Sequence, residues 1–168
     1  MVEPVIGPFK KSEGEKSLRM PKPKAGDRGA EALEQLTSAE IVERSARAES
    51  PGIDINRFIQ TLAYMVQNKM VQLLQIGNTV LMLKPLAEEP GTVELHTFTI
   101  ESPQDIAQRY KAASNSLREL GYKKVVSYAT SPAFIKISEQ TGLPVRVSQS
   151  QQVIGDKAVP AYKFELDL

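Results

Sequence analysis

From residue 37 onward the apolar positions fall into blocks whose period switches between that of a helix and that of a strand. Thr37-Ser38-Ala39-Glu40 reads as a capping box, the Thr37 hydroxyl accepting from the Glu40 amide while the Glu40 carboxylate reaches back. It predicts a short helix to about Glu49, stopped by Ser50-Pro51-Gly52. Asp54 can cap a second helix, in which Ile55, Phe58, Ile59, Leu62, Met65 and Val66 recur at 3.6-residue spacing as a core stripe. From Met70 the pattern becomes a continuous apolar run, Val71 to Ile76, then Gly77-Asn78, then Thr79 to Leu83. Two strands around a tight turn follow, because Gly and Asn tolerate the positive φ that such a turn demands. Glu88-Glu89-Pro90-Gly91 makes the next turn, and Thr92 to Ile100 reads as a third strand.

The chain then crosses into a helix through Glu101-Ser102-Pro103-Gln104-Asp105. Ser102 serves as cap, Pro103 takes the first helical position where a missing amide costs nothing, and Asp105 suits the positive end of the dipole. Ile106, Tyr110, Ala113, Leu117 and Leu120 form the predicted buried stripe, closed by Gly121. Val125 to Ala129 is a short strand, Ser131-Pro132 opens another helix, and Gly142 ends it. In the tail, Val145 to Ser150 and Gln151 to Leu168, Gly155-Asp156 signals a second hairpin, and Tyr162, Phe164 and Leu166 alternate as in a half-buried strand. The order is helix, helix, three strands, helix, strand, helix, two strands, which implies an α/β fold with a mixed, partly antiparallel sheet.

Composition narrows the function classes. A chain of 168 residues, 41% hydrophobic and 24% charged, accommodates one domain with appendages. No apolar run approaches the roughly 20 residues of a spanning helix, and the first residues lack a signal-peptide apolar block, so a cytoplasmic protein is expected. With no cysteine, disulfides, thiolate zinc sites and thiol nucleophiles are excluded. A net charge of +1 gives no field to draw nucleic acid or an anionic membrane. His96 is the only histidine, too sparse for a metal site, and none is expected. Paired with Glu94 two residues away on one strand face, it reads as a general base and relay or as a simple surface pair.

Residues 1–36 read as an extended arm, with 37–168 as the folded domain. Over residues 1–29 prolines and glycines mix with seven basic and four acidic side chains and no apolar period, a composition that cannot offset its own ordering entropy. Val5, Ile6, Phe9, Leu18 and Met20 stand among these charges as anchors for a protein partner.

Glu119-Leu120-Gly121-Tyr122-Lys123-Lys124-Val125, followed by a helix ending Glu139-Gln140-Thr141-Gly142-Leu143, resembles the GNAT acyltransferase family over roughly residues 38–168. The resemblance implies a central, mostly antiparallel twisted and splayed sheet flanked by helices. It also implies that the pyrophosphate of acetyl-CoA would sit on the turn after the third strand, where the family carries glycines so that bare amides can approach the phosphates. This chain has none there: Pro103 removes an amide, and Glu101 and Asp105 bring negative charge. Where the family often places a catalytic tyrosine stands Ser138, and where an Asn commonly opens that helix stands Ser131. The expectation is therefore a non-catalytic structural or interaction protein without cofactor. Similar degenerate modules of tailed bacteriophages imply a virion component, capsid- or tail-associated, whose arm binds neighbouring subunits in an oligomeric assembly. The alternative is an N-acyltransferase with Glu94 or His96 as base and the amides of Gln104, Asp105 and Ile106 cradling acetyl-CoA.

Overall fold

The computed structural model describes residues 35–168. Ten elements follow one another: α1 Ser38–Glu49, α2 Ile55–Gln67, β1 Gln72–Ile76, β2 Thr79–Pro85, β3 Thr92–Thr99, α3 Pro103–Glu119, β4 Lys124–Ala129, α4 Ala133–Gln140, β5 Arg146–Ile154 and β6 Lys157–Asp167. The arm anchors Val5, Ile6, Phe9, Leu18 and Met20 lie outside the described residues. Among the described residues, no helix is long and apolar enough to cross a membrane.

Most element boundaries are set by local chemistry. Both halves of the capping box at α1 form: the Thr37 amide donates to Glu40 Oε1 at 2.8 Å, and the Glu40 amide donates to Thr37 Oγ1 at 3.2 Å. Asp54 caps α2 by accepting from the Arg57 amide. That helix ends without a glycine, at Lys69 with φ of 57°, a left-handed conformation that few side chains adopt readily. Gly121, at φ 97°, follows α3, where that backbone suits glycine. Leu120, expected in the buried stripe of α3, is 51% exposed, because it lies beyond the last helical turn.

The strands form one six-stranded sheet in the order β1-β2-β3-β4-β6-β5. β3 and β4 run parallel, and α3 is the crossover that a parallel pair requires. β6 runs antiparallel to both β4 and β5, so it lies inside the sheet and β5 takes the edge. β5 extends through Ile154, past the break that the sequence pattern suggests near Ser150. Its residues are exposed or half-buried throughout, so no alternation of apolar and polar side chains marks its length.

Two contact units divide the described residues. One contains residues 35–82 with Thr97–Glu101. Its core gathers Ile41, Val42 and Ala46 of α1, Ile59 and Leu62 of α2, Leu73 of β1, Val80 of β2 and Phe98, with Phe58 meeting Phe98 edge-on at 5.9 Å. A buried polar side chain helps to tie this unit together. Gln75, 1% exposed, accepts from Ser38 Oγ and donates to the carbonyls of Leu36 at 2.9 Å and Gly77 at 3.2 Å. The other unit is Leu83–His96 with Ser102–Leu168. There Ile106 and Ala107 of α3 pack with Ile137 of α4, flanked by Tyr110 and Phe134, while Phe164 and Leu166 bury one face of β6.

Candidate active site

Glu94 and His96 lie two residues apart on β3 and are both half-buried. The parallel ladder from β3 to β4 runs Thr92 to Lys124, Val93 to Val125 and Glu94 to Val126, and Glu94 is its last paired residue. At the next step the Ser127 hydroxyl donates to the Leu95 carbonyl at 2.9 Å, so a side chain takes the place of a ladder bond. Among the described residues, none hydrogen-bonds or pairs with the Glu94 carboxylate. Ser127 drew no attention from sequence reasoning. The available signal was a serine between Val126 and Tyr128 inside an otherwise strand-forming run.

Register places Val126 opposite Glu165, and Lys124 opposite Asp167, so these side chains share the Glu94 face. Here the charges are paired. Lys124 Nζ lies 3.1 Å and Lys163 Nζ 3.5 Å from Glu165, and Arg146 meets Asp167 at 2.9 Å. The hydrogen bond from Lys124 holds the Glu165 carboxyl below its ordinary range, and the same bond raises Lys124. Arg146 acts likewise on Asp167. The depressed acids favour the folded state above their ordinary pKa, and that contribution is lost as pH falls through their lowered folded values. The raised lysine contributes below its ordinary pKa and loses that as pH rises through its folded value. These pairs therefore support the fold from neutral to moderately alkaline pH and weaken toward acid. A Lys124→Met variant moves the Glu165 carboxyl titration upward in an NMR pH series; an unmoved titration would remove Lys124 as its cause.

At the start of α3 the amides are largely committed. Ser102 Oγ accepts from the Asp105 amide at 3.2 Å, and the Ser102 carbonyl accepts from the Ile106 amide at 2.9 Å. Pro103 has no amide, which leaves Gln104 with the one first-turn N–H that neither proline nor cap removes. The Asp105 carboxylate adds negative charge to the same turn. Glu101, expected beside it, is tied elsewhere: its carboxylate accepts from the Thr79 hydroxyl at 2.6 Å, and its amide donates to Thr99 Oγ1 at 3.0 Å. Gln104, Asp105 and Ile106 thus do not fit a pyrophosphate in the manner of a glycine-rich cradle, which needs several uncommitted amides converging on the anion.

The two serines at α4 have structural work. Ser138 Oγ donates to the Ile135 carbonyl at 2.7 Å within its own helix, so it is not aimed outward as an acid. Ser131 Oγ accepts from the Ala133 amide at 3.2 Å, which helps to open α4.

No protein-family model matches the chain, and no curated protein matches it in sequence. Solved structures do resemble it. The microcin C7 self immunity acetyltransferase MccE, in complex with acetyl-CoA and AMP, superposes with a TM-score of 0.56 at 9% identity, over 77% of this chain and 84% of that one. A chimera of the spermidine N-acetyltransferase SpeG from Vibrio cholerae and hSSAT gives 0.56 at 8% identity, over 87% and 93%. The ribosomal-protein-alanine N-acetyltransferase from Brucella melitensis gives 0.54 at 10% identity, over 88% and 98%. All three are acetyltransferases, and none is a capsid or tail protein. The expectation of a non-catalytic structural component of a virion, working without a cofactor, is corrected by this finding. A turn without glycines reports how a phosphate is gripped, not whether the sheet presents an acid for transfer chemistry. The chain has a GNAT-like fold.

Proposed function

We propose that the protein is an N-acyltransferase, moving an acyl group from a CoA-type thioester to an amine. The observation that carries this reading is the Glu94 carboxylate, half-buried and without a bonded partner among the described residues, at the point where the β3–β4 ladder stops. An ammonium must lose a proton before its nitrogen can attack a thioester carbonyl, and a carboxylate poised at a sheet opening is suited to accept that proton. In this reading His96, two residues on along the same strand face, serves as the relay for that proton. The relatedness of fold to acetyltransferases, one of them in complex with acetyl-CoA, supports a thioester donor. The committed amides of α3 give this donor's phosphates little to hold, so recognition falls mainly on its acyl and pantetheine parts.

The test is release of free thiol from acetyl-CoA by the full chain, offered spermidine, a lysine side-chain amine and a peptide N-terminus in turn. Since the chain contains no cysteine, every thiol detected comes from the donor. Amine-dependent release with at least one acceptor is expected, and none with any acceptor would overturn the proposal. Acetyl-pantetheine, which lacks the phosphates, is expected to support a kcat/KM within about tenfold of that for acetyl-CoA, because a single available amide contributes little discrimination.

A further inference from the structure

Among the described residues, β5 is the outermost strand beyond β6, and it lacks the features that ordinarily protect such an edge. All nine residues from Arg146 to Ile154 are in register with β6, without a bulge. A row of unpaired amides and carbonyls recruits other strands, and monomers blunt it with charge, proline, bulges or short length. After Arg146 this strand has no charged residue and no proline through Ile154. Val147, Val153 and Ile154 are 39%, 70% and 56% exposed, so apolar surface accompanies the open backbone.

Its sequence also matches itself. Val147-Ser148-Gln149-Ser150-Gln151-Gln152-Val153 reads nearly the same in both directions about Ser150. When two copies run antiparallel on a two-fold axis through Ser150, Val147 of each lies opposite Val153 of the other, and Gln149 lies opposite Gln151. Every contact then occurs twice, as an isologous interface requires. Val147, Gln149, Gln151 and Val153 alternate along one face and all are exposed. A strand of an unrelated partner would need no such symmetry. We infer that β5 joins two copies of this chain into a homodimer by antiparallel edge pairing centred on Ser150, continuing the sheet from one copy into the next. This inference is independent of the acyl-transfer reading, since it uses no residue of the candidate active site.

Sedimentation equilibrium of the full chain over a range of concentrations tests it. The unaltered protein is expected to approach twice the monomer mass. The double variant Gln149→Lys, Gln151→Lys sets like charges opposite each other twice and is expected to stay monomeric, as is Gln149→Glu, Gln151→Glu. An equimolar mixture of the two variants should regain the dimer mass, because each lysine then meets a glutamate. Both positions are exposed, so an unchanged circular dichroism spectrum is expected of each variant, with a melting midpoint lower only by what dimerisation adds and restored in the mixture. A monomeric unaltered protein, a dimeric lysine variant, or a mixture that stays monomeric would each overturn the inference.

Discussion

Glu94→Gln lowers the amine-dependent turnover of acetyl-CoA by about 10²- to 10³-fold, within the range that a positioned general base contributes. The amide keeps the size and position of the side chain and removes its ability to accept the proton. Because nothing among the described residues bonds to the carboxylate, no ion pair is lost and the melting midpoint should hold or rise. That combination separates catalysis from packing: a structural role for Glu94 would lower stability and activity together. Turnover that survives the substitution would return the base to His96 or to solvent. His96→Gln should cost less, since a relay can be bypassed by water where an acceptor in contact with the amine cannot.

Gln75→Leu carries the largest expected loss of stability, about 3 kcal/mol, because two buried groups lose their partner and each unsatisfied group costs about 1–3 kcal/mol. The groups are the Ser38 hydroxyl, on a residue with no exposed surface, and the Leu36 carbonyl. The Gly77 carbonyl is spared, for it also accepts from Gln35 Nε2 at 2.8 Å. The added apolar volume does not compensate, since leucine offers neither donor nor acceptor. For a chain of this length the midpoint should fall by about 10 °C in a thermal melt. A shift of less than 2 °C would show that water or a rearranged Ser38 replaces what Gln75 supplies.

How much of this was legible in the sequence depended on whether the controlling interaction was local. Thr37 with Glu40, Asp54 with Arg57 and Ser102 with Asp105 are contacts within one turn, and the residue types announce them. The strand order was not local: β6 enters the sheet between β4 and β5, and that is decided by long-range pairing that no periodicity encodes. Lys69 closing α2 carried no signal, because glycine or asparagine is the usual occupant of its backbone conformation. At the candidate site, Glu94 and His96 were readable as a pair from strand alternation. The end of the ladder beside them was not, since it turns on Ser127 reaching a carbonyl 32 residues away. The role of Glu101 was hidden similarly, because its partner Thr79 lies 22 residues away along the chain.

The Ser127 contact bears on how such a protein diversifies. The hydroxyl that meets the Leu95 carbonyl occupies a half-buried position beside the opening and outside the apolar core. A single nucleotide change can remove that hydroxyl, giving alanine from one set of serine codons or glycine from the other, and so leave the Leu95 carbonyl without it where the two strands part. The point at which β3 and β4 part therefore hangs on a single codon, free to drift without touching the apolar core.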